Sequence, residues 1–288
     1  MIGGTGLSRA RTRARRAVGV PTLAGLSVAV LLLAGCDLSD DEDTHAASTP
    51  VTASPSARPH TGRTVLLEDD HGRPAQAGTA AVEVRVAALD GGSVAASAGP
   101  DGARAIAFPP YRATGTYPRA VVVVTNKGDD DELNPGTAAF TWGTDFKIDA
   151  RSEGRTEDNG DNLVQRGIYS EPTLYKAELD LGRPACVVQG VDGIVTIRSS
   201  TAVIPGIWYH MECRRDGAEV TVTSWPLDDP NDRTTRIGVG PTGDVTPVEP
   251  SIPLSVGGKV SQTGEVIKSA TDQLNGDLAR PFLEIDGA

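Results

Sequence analysis

The stretch from Gly206 to Gly217 constrains the fold most strongly, because its side chains fall into two sets that alternate along the chain. The sets are Ile207, Tyr209, Met211 and Cys213 on one side and Trp208, His210, Glu212 and Arg214 on the other. A period of two is typical of a β-strand with one face on a core. Asp216 and Gly217 follow as the central pair of a predicted type I′ hairpin turn, in which both residues need positive φ. The return strand is predicted over residues 218–225.

Short apolar runs, separated by Gly, Pro, Asp and Asn, fill the chain from about residue 80 onward. They are residues 82–86, 103–108, 120–124, 140–148, 162–165, 175–181, 186–189, 194–198, 234–239, 254–258 and 274–285. None of them carries the 3.6-residue apolar stripe of a packed helix. Many short strands predict an all-β antiparallel sandwich, and the length suits one domain over residues 79–288.

The first 35 residues have the organisation of an export signal. A cluster of arginines from Arg9 to Arg16 precedes an uncharged run over residues 17–35. Leu33-Ala34-Gly35-Cys36 resembles the lipobox of bacterial lipoproteins, which implies cleavage before Cys36 and acylation of its thiol by chains such as palmitate. The alternative is an uncleaved transmembrane anchor. Both place the rest of the chain on the extracellular face of the cell membrane, by Sec or by twin-arginine export.

Residues 36–78 are predicted to form a flexible tether. The segment opens with an acidic cluster and continues with small polar residues and prolines. Such a composition cannot bury enough apolar area to offset the entropy lost on ordering. We therefore expect the folded domain to be held away from the membrane surface.

The charge of the chain excludes nucleic acid as a partner. The formal net charge is −11, and the first 35 residues contribute five arginines and no acids, so the remainder carries −11 − 5 = −16. Nucleic acid phosphates require clustered Lys and Arg. An acidic surface is instead compatible with a solvated extracellular domain or with bound cations.

The cysteines predict one disulfide. The chain has three cysteines, and if Cys36 carries lipid then Cys186 and Cys213 remain as an even pair in an oxidising compartment. Both lie in predicted strands, which a disulfide between them would join. The alternative is two free buried thiols.

Four segments between about residue 80 and residue 287 occur in the order and spacing of one known domain type. They are Leu133–Trp142, Asp161–Gly167 with Tyr175–Lys176, Trp208–Gly217, and Val256–Lys259 with Gln273–Leu278. Together they resemble the laminin-G-like, concanavalin-A-like lectin jelly roll of bacterial lipoproteins of the actinobacterial type. The resemblance implies an antiparallel β-sandwich and implies no particular ligand. Where relatives place acids for a structural calcium, this chain has Ala279 and Arg280.

The sequence gives little support for catalysis. Glu178 and Asp180 share one face of a predicted strand, as the carboxylates of jelly-roll glucanases do, but Arg183 stands where the third acid would be needed. His210 is the sole histidine of the predicted domain, and its place inside the hairpin favours a structural role over a triad. We predict no catalytic residues.

A calcium ion is the one cofactor that the residues suggest. The loop over residues 152–162 concentrates the oxygen ligands that calcium prefers, with Asp158, Asn159 and Asp161 as the candidate ligands. The acidic run Asp129–Glu132 is a second, weaker candidate. No Gly-rich loop opens a helix after a strand, so a phosphate-bearing cofactor is not expected.

These features predict a monomeric, lipid-anchored extracellular module that binds a glycan or a surface protein without catalysis. Tyr111, Tyr117 and Tyr169 lie in predicted loops beside Gly and Pro, and they are the candidate ligand-binding aromatics. The alternatives are a glycan-active hydrolase of the same fold and a purely structural envelope lipoprotein.

Overall fold

The computed structural model of the protein describes residues 62–112, 117–149, 160–268 and 272–287. The predicted export signal, Cys36 and the first part of the predicted tether, residues 36–61, lie outside these ranges. Among the described residues, no helix is long and apolar enough to cross a membrane.

The described residues form sixteen strands and one short 3₁₀ turn at Pro100–Gly102. In chain order the strands are β1 (Arg63–Asp69), β2 (Pro74–Gln76), β3 (Val82–Leu89), β4 (Ala95–Ala98), β5 (Arg104–Ala107), β6 (Arg119–Asn126), β7 (Phe140–Ile148), β8 (Gly160–Arg166), β9 (Leu174–Asp180), β10 (Arg183–Gly190), β11 (Gly193–Arg198), β12 (Tyr209–Asp216), β13 (Glu219–Pro226), β14 (Thr234–Val239), β15 (Leu254–Val256) and β16 (Gly276–Ile285). Every apolar run predicted from the sequence overlaps one of them.

The strands form two antiparallel sheets. The front sheet has the order β14-β13-β12-β7-β16-β1-β2, and β5, with β4 beside it, pairs with the first part of β16. The back sheet has the order β11-β10-β9-β8-β15-β6-β3. The predicted all-β sandwich of jelly-roll type is therefore confirmed. In the front sheet, β7 and β16 lie side by side near the centre, so their outward side chains share one exposed face.

The core between the sheets is largely aliphatic, and its largest side chains form an aromatic cluster. Phe140 stacks on Trp142 with ring centroids 4.7 Å apart, and the Tyr175 ring meets both edge-on. The Tyr175 hydroxyl donates to the Leu133 carbonyl oxygen at 3.0 Å. Burial raises the pKa of Tyr175 well above its usual value, so this phenol remains a hydrogen-bond donor.

A disulfide joins the two sheets through this core. Cys186 lies on β10 of the back sheet and Cys213 on β12 of the front sheet, with 5.8 Å between their Cα atoms. Both cysteines are fully buried. The predicted pairing is confirmed.

The valine run of β6 has no alternation because both of its faces are covered. Val122 and Val124 face the main core, whereas Val121 and Val123 pack in a second cluster with Val260. The segment around Val260, which follows β15, therefore covers the outer face of the back sheet at β6.

The hairpin between β12 and β13 differs from the prediction by one residue. Asp216 pairs with Glu219, so the loop residues are Gly217 and Ala218 rather than Asp216 and Gly217. Gly217 has φ of 58°, and neither Asp216 nor Ala218 has a positive φ. A glycine with positive φ at the first central position alone is typical of a type II′ turn, so the predicted type I′ turn is wrong.

The predicted boundary of the tether at residue 78 is also wrong. Residues 63–69 form β1, which pairs with the last strand, β16, and residues 74–76 form β2. Val65 and Leu67 on β1 are almost fully buried in the core. The folded domain therefore includes at least residues 63–78, which the prediction had left outside it.

Candidate functional site

A groove crosses the face of the front sheet that points away from the core, and we call it the outer groove. Its volume is about 420 Å³. The apolar lining comes from Leu66, Leu227 and Phe282, and the polar lining from Thr64, Asp145, His210, Glu212, Arg280 and Glu284. Four neighbouring strands supply most of these residues, so the groove exists only in the assembled sheet.

Strand alternation places these side chains on the outer face. On β1, Val65 and Leu67 point into the core, and Leu66 between them lines the groove. On β12, Met211 points into the core and His210 points outward. The same pleat that builds the core therefore directs every second side chain of these strands into the groove.

Arg280 enters the groove through a β-bulge. Ala279 pairs with Asp145 and Phe282 with Gly143, so β16 has one residue more than β7 over this stretch. Arg280 within the bulge has φ of 53°, a left-handed conformation that costs a residue with a side chain about 1 to 3 kcal/mol. Bulges of this kind redirect side chains, and here the bulge brings the Arg280 guanidinium over Asp145.

Asp145 organises the polar end of the groove. Its carboxylate is nearly buried, and Arg280 Nε donates to Oδ2 at 2.9 Å. His210 Nδ1 lies 2.7 Å from Oδ1. An ionised carboxylate only accepts hydrogen bonds, so Nδ1 of a neutral His210 carries the proton and Nε2 is left as an acceptor. Asp145 thus fixes the orientation of both groups.

Trp225 forms a stack beside the groove rather than an open platform. The His210 ring lies 4.2 Å from the Trp225 ring, with 30° between the planes. The Arg233 guanidinium lies over Trp225, 3.8 Å from the ring centroid, so both His210 and Arg233 stack on the indole. The accessible aromatic wall of the groove is therefore Phe282, which lies 6.3 Å from His210 between ring centroids.

Gly143 is a buried position without a side chain between two residues that line the groove, and we call this position the gap. It lies on β7, opposite Glu212 of β12 on one side and Phe282 of β16 on the other. A Cβ atom at this position would lie 2.1 Å from the Met211 carbonyl oxygen. Only glycine fits here without displacement of β12, so β7 places no side chain between Glu212 and Phe282.

We expect Gly143→Ala to lower the free energy of unfolding by about 1 to 3 kcal/mol, as overpacking of a fixed neighbour does. The matched control is Gly128→Ala, because a Cβ there meets no atom within 4 Å and the backbone is not left-handed. Urea denaturation of both variants measures the difference. Equal stability of the two would contradict the close approach of β12 at Gly143.

A second concavity of about 310 Å³, the end pocket, lies further along the same face. It includes Lys147, two residues beyond Asp145 on β7 and therefore about 7 Å away. The Lys147 ammonium lies 2.8 Å from Asp277 and 5.0 Å from the Trp208 ring. The end pocket extends the line of polar and aromatic side chains that begins in the outer groove.

The three candidate tyrosines do not form one site. Tyr117 is buried, which contradicts its prediction as an exposed loop residue, and its hydroxyl donates to Asn275 at 2.7 Å. Tyr111 is half-buried and meets Tyr117 edge-on. Tyr169 is 73% exposed, but it follows the last residue of β8. Asn275, the partner of Tyr117, contacts Asp161 near the first residue of β8, about 20 Å away along that strand.

The calcium candidates are only partly described. Asp158 and Asn159 lie outside the described residues. Asp161 is buried on β8 and accepts a hydrogen bond from the Asn275 backbone N–H at 3.3 Å. Among the described residues, no three or more His, Cys, Asp or Glu side chains are grouped to hold a metal. Calcium at this loop stays a prediction.

The remaining acidic candidates form ion pairs. Glu178 lies 2.6 Å from Lys176, and Asp180, which is paired with Arg183 in the strand register, lies 2.6 Å from Arg198. In the run Asp129–Glu132, Asp131 pairs with the buried Arg166 at 2.8 Å. These carboxylates stabilise strand ends and turns.

The comparisons with known proteins show similarity in fold. No protein-family model and no curated protein matches the sequence. The binding domain of Paraclostridial Mosquitocidal Protein 1 is similar in structure, with a TM-score of 0.52 and 11% identity over 79% of this chain and 50% of that one. The chain thus spans half the length of that domain. At such identity the similarity shows the sandwich fold alone.

Two further solved structures are similar at lower scores. The enzymatically active domain of bacteriophage CBA120 tailspike protein 2 has a TM-score of 0.48 and 10% identity, over 73% of this chain and 30% of that one. The LG1-3 region of the laminin alpha2 chain has a TM-score of 0.44 and 15% identity, over 58% of this chain and 30% of that one.

Proposed function

We propose that the protein is an exported, lipid-anchored, monomeric binding module and that the outer groove is its site for a glycan. One observation carries the assignment: the groove combines an aromatic wall with hydrogen-bonding side chains that Asp145 holds in place. Ligand sites typically pair apolar walls with a few oriented polar groups. The mosquitocidal protein's binding domain, which shares the sandwich, is consistent with a binding role.

The hydrogen bonds of Asp145 do not suit this carboxylate to hydrolysis. Both of its oxygens accept hydrogen bonds, one from Arg280 and one from His210. A two-carboxylate glycosidase needs one acid that can give or take a proton beside the scissile bond. A carboxylate held by two donors is poorly placed for that step, so we assign it to orientation of the groove.

The proposed anchor is Cys36. Because β1 begins at Arg63, 26 residues separate the two, fewer than the predicted tether contained. A flexible segment of that length has an r.m.s. reach of about 30 Å. That distance is comparable with the diameter of a small domain, so the outer groove could face polymers close to the membrane surface.

We test the binding role with the full chain against a panel of cell-wall and extracellular polysaccharides, with calcium and with EDTA. We expect saturable binding that Phe282→Ala and His210→Gln each weaken about tenfold, a loss of about 1.4 kcal/mol. Tyr169→Ala is the matched aromatic control and should bind as the parent does. Thermal melts of every variant establish that it is folded.

The outcomes separate the candidate functions. Loss of binding in Tyr169→Ala alone would move the site to the loop tyrosines, and loss in EDTA would support a calcium-dependent site. New reducing ends in the panel would favour the hydrolase. Absence of saturable binding to every polysaccharide would overturn the glycan assignment and leave a structural envelope role.

A further inference from the structure

The outer groove carries more negative than positive charge. Its lining contains the carboxylates of Asp145, Glu212 and Glu284 and the single guanidinium of Arg280. With histidine counted as uncharged, as in the formal net charge of the chain, the sum is −3 + 1 = −2. Asp145 already neutralises Arg280, so the groove offers a ligand no uncompensated cation from its own lining.

Two cations around the groove are engaged in the same way, and a third, Arg233, lies over Trp225. Lys147 pairs with Asp277 at 2.8 Å. Arg214 lies about 3.1 Å from Asp216 and 3.2 Å from Asp286. Glu212, by contrast, has no ion-pair partner among the described residues. A negatively charged ligand would therefore meet a repulsive field, and a positively charged one would find Glu212 available.

Glu212 and Phe282, which both line the groove beside Gly143, are the residues best suited to recognise a positive group. Glu212 and Phe282 flank this gap from the two strands next to β7, which lie about 10 Å apart. An ammonium group between them contacts a carboxylate on one side and an aromatic ring on the other. Both contacts favour a cation, since the ring face carries negative partial charge.

The surrounding structure argues against a metal ion or an added β-strand in this gap. Within the described part of the chain, no three acidic, Cys or His side chains are grouped as a metal site. The gap lies over a strand that already pairs on both sides, so its backbone has no free groups to hold an added strand. What remains for recognition is side chains that read hydroxyl and amino groups.

We propose that the ligand of the outer groove is a glycan with free amino groups, and that one ammonium of a hexosamine unit lies between Glu212 and Phe282. This inference rests on the proposed glycan-binding function and adds the charge of the ligand. The sugar hydroxyls then meet His210 Nε2 and the Arg280 guanidinium at the polar end of the groove.

The test compares glucosamine oligomers with N-acetylglucosamine oligomers and with uronic acid oligomers of the same length, by calorimetry on the full chain. We expect the glucosamine oligomer to bind at least tenfold more tightly than either, with an affinity that falls as salt is raised. Glu212→Gln should remove that preference, so that the variant binds the glucosamine and N-acetylglucosamine oligomers with equal affinity. Glu219→Gln, an exposed acid at the start of β13, is the matched control.

Each outcome decides one question. Equal binding of the amino and acetylated oligomers, or unchanged selectivity in Glu212→Gln, overturns the amine preference while the glycan function stands. Binding of no oligomer and no polysaccharide overturns both. A lysine-rich peptide that binds where the sugars do not would replace the glycan with a basic protein partner.

Discussion

A chain that begins at Thr79 is expected not to fold. It lacks β1, whose Val65 and Leu67 are almost fully buried and together contribute about 3 to 6 kcal/mol. It also leaves one edge of β16 unpaired over four residue pairs and removes the Leu66 wall of the outer groove. The free energy of unfolding of a domain of this kind is only about 5 to 15 kcal/mol. The contribution lost with β1 is therefore comparable with the total stability of the domain.

The control for this truncation is a chain that begins at Ala57, which retains β1 and the compact unit that runs to Ala288. Near-ultraviolet circular dichroism and a cooperative melt should show a native fold for the longer chain alone. If the shorter chain melts cooperatively at the same temperature, the contribution assigned to β1 is wrong.

The double variant Cys186→Ala/Cys213→Ala is expected to lose about 3 to 4 kcal/mol of stability. The disulfide closes a segment of 27 residues, and the chain-entropy estimate for a loop of that size gives this magnitude. For a domain of roughly 200 residues, the melting temperature should fall by about 10 °C. Differential scanning calorimetry of the variant and the oxidised parent measures the difference.

Reduction of the parent protein is the control for this second prediction. Because both sulfur atoms are fully buried, dithiothreitol under native conditions should act slowly, and denaturant should accelerate it. Equal melting temperatures for the variant and the parent would show that the two sheets hold together without the covalent link.

The sequence predicts the strands well because each depends on local alternation. The exposed and buried sets of β12 are visible in the chain itself, and so is the even pair Cys186 and Cys213. The β1 strand was missed because its apolar run, Val65 to Leu67, does not alternate and follows a tract of Pro, Ser and Thr. Its burial depends on β16, more than two hundred residues away.

The outer groove could not be predicted in the same way. Asp145, His210 and Phe282 meet only through the register of three strands, which the sequence does not state. Arg280 points into the groove because of a bulge that carries no sequence signal, and it was interpreted as a missing calcium acid. One signal was available: among the outward residues of β7 before Lys147, which are Thr141, Gly143 and Asp145, only Asp145 is charged.

The pairing of β1 with β16 bears on how fast the protein can fold. Arg63 pairs with Ile285, a separation of 285 − 63 = 222 residues, so the front sheet closes only after its last strand is available. Chains dominated by such distant contacts fold in milliseconds to seconds or more slowly, because the entropy of closing a long loop is lost before the stabilising contacts form. The nascent chain thus stays without its completed front sheet until synthesis has passed the final strand.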